Sequence, residues 1–329
     1  MIWLTWRQFR TQALVAAVAL AAIASFLVYL GARIRHDYAK VVGCRPGDCI
    51  TARHDFDSAY SGPLYLVALL LIATPALIGI FWGAPLITRE LEERTDRLVW
   101  NQSVTRTRWL ATKLVLLALA SVAVTGLFSL LLTWSASRYD QFIGARFGAV
   151  NFASRNVVPL GYAAFAFVLG TVIGLVVRRT LPAMALALAV FAAIQLIVPN
   201  VVRPHLMAPV TTTVALDQDA LSRSDGFGMS DRGARVIGYT MAGAWSLADE
   251  ATVVNADGSP YTSQQAEACM KGAPAESITC MAGQHLHFSY TYQPADRYWP
   301  FQWIELSAYL GAALLLAGVG FWRIRHRSG

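Results

Sequence analysis

The chain has 329 residues, of which 56% are Ala, Val, Ile, Leu, Met, Phe, Trp, Tyr or Cys and only 14% are charged, with a net charge of +7. An ordinary soluble domain carries about 25% charged residues. The composition therefore excludes a disordered chain and disfavours a purely water-soluble globule.

Six long apolar runs follow in chain order, at 13–30, 63–82, 114–134, 158–177, 181–198 and 303–322, each with at most one charged residue. Their lengths of 18 to 21 residues match the about 20 that a helix needs to cross roughly 30 Å of hydrocarbon. Buried helices of a soluble bundle would show polar residues along an outer face, and these runs do not. The fold class read from this pattern is an all-α polytopic membrane protein with six transmembrane helices. Residues 199–302, between helices five and six, read as a small mixed extracellular domain. The first run is longer than a signal-peptide core and lacks a clear small-x-small cleavage site, so it reads as an uncleaved anchor.

Orientation follows from the basic residues of short loops. With the N-terminus inside, the inner segments 1–12, 83–113, 178–180 and 323–329 hold thirteen basic and four acidic residues, a charge of +9, against −2 for all the rest. Both termini are then cytoplasmic, 303–329 comprises the sixth helix and a basic tail, and the basic balance faces anionic lipid. A nucleic-acid partner is not needed to explain it. Trp3, Trp6, Trp82, Trp109, Trp134, Trp299, Trp303 and Trp322 lie at or near span ends, where indole rings prefer the headgroup layer.

Cys44, Cys49, Cys269 and Cys280 all fall in outer segments, where an even count points to disulfides. Three pairings are possible; the local one, Cys44–Cys49 and Cys269–Cys280, closes the smallest loops. A zinc site needs a second ligand pair close by, so no metal is expected. In the outer domain, Thr262 and Gln265 form a capping-box pattern for a helix through Met270. Residues 285–292 alternate with Leu286, Phe288, Tyr290 and Tyr292 on one face, a half-buried strand. His285 and His287 on the other face lack partners for a metal site and read as solvated. Asn255 to Pro260 is turn chemistry.

No phosphate loop, H-E-x-x-H or G-x-S-x-G motif occurs. No histidine lies in a span, and Glu305 and Gln195, near outer ends, read as snorkelling or capping. Pro75 and Pro182 are candidate helix breaks. Gly79/Gly83 and Gly170/Gly174 have the G-x-x-x-G spacing that lets helices approach closely, within a protomer or between protomers.

The segment 83–113 carries most of the functional signal. It is dense in charge, with Glu90/Arg94 and Glu93/Arg97 at helix-supporting i,i+4 spacing, and Leu91, Leu98, Val99 and Trp100 have no core of their own to enter. Such a segment is either a helical hairpin lying on the membrane or a docking element for a cytoplasmic partner.

At these residues the chain resembles the ABC type-2 exporter permeases. Gly83, Arg89, Glu90, Thr95, Arg97, Leu98, Ser103, Arg106 and Lys113 are similar to the family's pattern between its second and third spans. The opening stretch 1–10 and residues 178–184 resemble permeases of actinomycete-type bacteria, in keeping with 24 Arg against 3 Lys. The resemblance implies an N-terminal interfacial helix over 1–12 ahead of the six spans, and a transmembrane permease subunit of an ATP-driven exporter in a bacterial plasma membrane, itself no enzyme. It further implies separate cytoplasmic ABC ATPase subunits that hold ATP and Mg, and a homodimer or a heterodimer with a second permease. No cofactor is expected on this chain. A coupling helix over about 87–100 would seat in the ATPase, with Arg89, Glu90, Leu91, Glu93, Arg94, Arg97, Leu98 and Trp100 as contacts and Glu90 foremost. The apolar spans with scattered hydroxyls at Thr74, Ser121, Thr125, Ser129 and Thr171 suit a translocation path for an amphipathic or hydrophobic small molecule or peptide. The alternative is a membrane receptor whose outer domain senses and whose inner loop signals to a cytoplasmic partner.

Overall fold

A computed structural model describes residues 2–44, 49–92, 106–230, 233–269 and 274–326. Among these, six helical stretches are long and apolar enough to cross a membrane: Phe9–Val42, Cys49–Arg89, Thr107–Ile143, Val158–Val177, Thr180–His205 and Ala295–His326. All six contain the apolar runs read from the sequence. The chain forms two compact units, one of Met1–Ile143, Ala149–Arg203 and Pro300–Gly329, the other of Gly144–Gly148 and Pro204–Trp299.

The first unit is a helical bundle. Helix α1 runs unbroken over Ile2–Val42, so the segment expected as a separate interfacial helix, 1–12, is continuous with the first span. At 41 residues α1 is about 60 Å long, twice a hydrocarbon core of roughly 30 Å. Helix α2 covers Cys49–Ile78, and the Cys44–Cys49 disulfide ties its first residue to the chain just beyond the end of α1. A π-helical turn, Gly79–Gly83, joins α2 to α3 (Pro85–Glu92). Helix α4 covers Arg106–Ile143, a short α5 covers Ala149–Ala153, and α6, α7 and α11 cover Val158–Val177, Thr180–Ile197 and Tyr298–His326.

Helix α6 lies at the centre, with sixteen of its 20 residues buried. Ala, Gly, Val and Phe occur all around its circumference, as a helix surrounded by other helices requires. The peripheral helices turn apolar side chains outward: Leu181 is 79% exposed, Leu315 75% and Leu66 68%. Such a belt is unfavourable in water and favourable in hydrocarbon. The protein is a multi-pass membrane protein. Trp299, Trp303 and Trp322 are exposed near the ends of α11, Trp134 is exposed inside α4, which continues to Ile143, and Trp109 is buried and carries Lys113 4.7 Å from its ring.

The second unit is smaller and contains a six-stranded antiparallel sheet. Its strands are β1 (Val210–Ala215), β2 (Gly226–Ser230), β3 (Gly233–Ile237), β4 (Trp245–Ser246), β5 (Glu250–Val254) and β6 (His287–Gln293), in the order β1-β6-β5-β3-β2 with β4 also on β6. Strand β6 has the expected alternation: Leu286, Phe288 and Tyr290 enter the core with Val236, Val253 and Tyr261. His285 precedes the strand with a φ of 51° and lies outside the His287 register. Helix α8 is Gln218–Ser222, and α9 is Ser263–Cys269, opened by the Thr262/Gln265 capping box: Thr262 N donates to Gln265 Oε1 at 3.0 Å. Met270 lies outside the described residues. The Cys269–Cys280 disulfide ties α9 to α10 (Pro274–Ala282). From the segment 144–148, Phe147 stacks on Trp245 at 5.7 Å. The outer domain read as 199–302 thus corresponds to 204–299 plus this segment.

Candidate functional site

Within the charged segment 83–113, the described residues include α3 and the start of α4. Pro85 opens α3, where a missing N–H costs nothing. In an uninterrupted α-helix its ring would press on the carbonyl of Phe81. The π-helical turn, closed by Ala84 N donating to Gly79 O at 2.9 Å, changes the register just ahead of that clash. The break in this span therefore falls at 79–83, while Pro75 sits inside a continuous α2.

Two side chains of α3, Glu92 and Thr88, join it to the start of α7. Helix α6 ends at Arg178 in the left-handed conformation, Arg179 is extended, and α7 begins at Thr180. The Thr180 backbone N–H donates to Glu92 Oε1 and the Thr180 hydroxyl to Glu92 Oε2, both at 2.8 Å. The first N–H groups of any helix lack partners within it, and its N-terminus favours negative charge. Glu92 supplies an acceptor and a charge from another helix. Its hydrogen bonds to the Thr180 backbone and hydroxyl hold its carboxyl below the ordinary range, with the charges of Arg179 and Arg89 adding to the effect. Thr88, fully buried, brings its Oγ1 within 2.8 Å of Thr180 Oγ1. Glu92 was not among the expected coupling residues. Its signal in the sequence was limited to its position in an acidic cluster.

The glycine pairs make the second connection. A Cβ on Gly79 would lie 2.7 Å from Ala166 O, one on Gly83 2.6 Å from Phe167 O, and one on Gly174 2.8 Å from Ala84 O. A Cβ on Gly170 would overlap Gly79 O outright. Both G-x-x-x-G pairs therefore serve the same contact inside one chain, between the π-helical turn and α6. Their periodicity marked them as packing sites; their mutual pairing needed the fold.

At the other end of α6 a charged cluster is buried. Arg203 and Glu305 are each 1% exposed and pair in two-pronged fashion, with Nε to Oε2 at 2.8 Å and a second guanidinium nitrogen to Oε1 at 2.9 Å. The Tyr162 hydroxyl from α6 donates to Glu305 Oε1. The guanidinium also lies 4.1 Å from the Phe152 ring. Alongside, Gln302 accepts from Val158 N at 3.2 Å and donates to Phe152 O at 3.1 Å. Glu305 is thus an internal ion-pair partner, which corrects its reading as a snorkelling group. The reason is Arg203: the fifth span continues beyond 198 through a π-helical turn, Val198–Val202, that carries Arg203 back into the bundle. Gln195 accepts from Tyr309 Oη at 3.2 Å.

Of the hydroxyls expected along a path, Thr74 is half-buried and lines a groove of about 500 Å³ between α1, α2 and α4. Ser121, Thr125, Ser129 and Thr171 are fully buried within the bundle. Ser121 and Thr171 donate to the carbonyls of Leu117 and Phe167, and Ser129 to that of Asn156. Of the expected coupling residues, Arg89 is exposed on α3, and Glu90 and Leu91 are in the same helix. Glu93, Arg94, Arg97, Leu98 and Trp100 lie outside the described residues, as do Thr95 and Ser103.

A family model described as ABC-2 membrane transporter related matches residues 17–203. The chain belongs to this family. The match spans helices α1 to α7 of the bundle, including the π-helical turn, α3 and the glycine contact. Membership makes the chain a membrane subunit of a transporter and implies an ABC ATPase subunit as its partner. No curated protein and no solved structure matches the chain.

Proposed function

We propose that this chain is the permease subunit of an ATP-driven ABC exporter that moves an amphipathic or hydrophobic small molecule or peptide out of a bacterial cell. Both termini face the cytoplasm, and two permeases, identical or homologous, pair above two ATPase subunits that hold ATP and Mg. The observation that carries this reading is the double linkage of α3 to the bundle core. Glu92 and Thr88 reach Thr180 at the head of α7, and the Gly79/Gly83 turn lies directly on α6. An ATPase pair that seats on α3 and the residues after it, and closes on ATP, would move α6 and α7 with the loop. Transport then follows from two states that bind the closed and open ATPase differently.

Affinity purification of the chain from its native membrane tests the partner. An ABC ATPase should co-purify, whereas a kinase or transcriptional regulator in its place would favour the receptor reading. Charge reversal by Glu90→Arg should abolish ATP-dependent cargo efflux while the purified protein keeps its helix content and melting temperature. Efflux at the wild-type rate would overturn the coupling role of α3.

A further inference from the structure

The groove that Thr74 lines has chemistry of its own. Its floor and walls are apolar, with Ile23, Leu70 and Phe128 among them, and its polar groups include Gln12, Trp82 and Arg89. Phe9 of α1 meets the Trp82 ring edge-on at 4.7 Å, which brings the starts of α1 and α3 together and collects these polar groups at one end. From Gln12 to Ile23 the helix rises about 17 Å, close to half of a hydrocarbon core of roughly 30 Å. The groove is therefore about as long as one leaflet. Its rim residues Val15, Leu77 and Phe81 are 66%, 46% and 53% exposed, continuous with the outward apolar belt, so it opens sideways toward lipid. Arg10, two residues before Gln12 in sequence, is also exposed.

We propose that this groove binds an anionic phospholipid from the surrounding leaflet, one acyl chain lying along α1 and the phosphate held by Arg89 and Gln12. A volume of about 500 Å³ falls in the range of small-molecule sites, which are mostly apolar with a few polar groups that fix orientation. Each basic side chain near an anionic lipid surface adds about a fivefold preference over neutral lipid. The site does not depend on the direction of transport.

Tryptophan quenching by bromine-labelled lipids tests it, because Trp82 lies in the groove. The full chain is placed in vesicles of brominated phosphatidylglycerol or brominated phosphatidylcholine at equal mole fraction. The Trp82 component, taken as the difference from Trp82→Phe, should be quenched with about fivefold higher apparent affinity by the phosphatidylglycerol. Arg89→Gln should erase that preference and Arg89→Lys should retain most of it. If Trp82→Phe does not fold, Phe81→Trp on the exposed rim adds a reporter whose quenching should show the same preference. Equal quenching by the two lipids would overturn the proposal, as would a preference unchanged in Arg89→Gln. So would quenching by free brominated stearate in vesicles where brominated phosphatidylglycerol has no effect, which would make the occupant a soluble amphiphile.

Discussion

The two ends of helix α6 are held by opposite means. Toward Val177, backbone meets backbone: four glycines let α6 lie on the π-helical turn with no room for a methyl group. Toward Val158, charge meets charge: Arg203 and Glu305 pair through two hydrogen bonds, and Tyr162 completes the set. Helices in lipid gain little by hiding apolar surface from one another, because hydrocarbon is as apolar as they are. Close packing and polar contact are what remain, and α6 uses one at each end. The packed end tolerates no added atom. The charged end depends on having both partners, and in principle it could be replaced by apolar groups of the same volume.

The largest effect should come from splitting the ion pair. Glu305→Gln leaves the Arg203 charge buried without its partner and should cost about 3–5 kcal/mol, read as loss of folded protein in a thermal melt of the detergent-solubilised chain. The double variant Arg203→Met with Glu305→Met should recover most of that loss. A double variant as unstable as the single would mean that the pair itself, rather than the stranded charge, sustains this end.

A smaller loss is expected at the packed end. Gly170→Ala forces the turn away from α6 and should cost about 1–3 kcal/mol by the same assay, and no second-site change of charge should restore it. An unchanged melting temperature would show that the two helices separate freely, which would remove the rigid link from the turn to α6.

The smallest effect concerns Glu92, which is exposed to solvent. Its carboxyl is held below the ordinary value of 4.5, so the folded state favours the ionised form. The stability it contributes is present in full above that value and lost as pH falls through the lowered folded one. Thermal melts of wild type and Glu92→Gln should therefore differ at neutral pH and converge in acid. A gap that persists to low pH would show that Glu92 acts by shape rather than by charge.

Much of this was legible in the residues. Long uncharged runs can satisfy their backbone only as helices in a bilayer, so the six spans needed no tertiary information. The Thr262/Gln265 cap and the alternation of 286–292 are local patterns, and both occur as expected. The short-range cysteine pairing is also present. The charged segment 83–113 pointed to the transporter family through its residue pattern, and the match over 17–203 bears that out.

Other features depend on residues far apart in sequence and became visible only in the fold. Arg203 and Glu305 are 102 positions apart; each by itself resembles a charge at a span end, and only the π-helical turn before Arg203 makes them partners. Glu92 and Thr180 are separated by 88 positions, so the acid that caps α7 could not be told from its neighbours in an acidic cluster. The glycine pairs announced a close contact without naming its other side. Composition and period determine which segments enter the membrane, because that is a transfer energy summed along the chain. Which polar groups meet there was decided by the tertiary structure, because a buried charge is tolerable only where another element brings its counterpart.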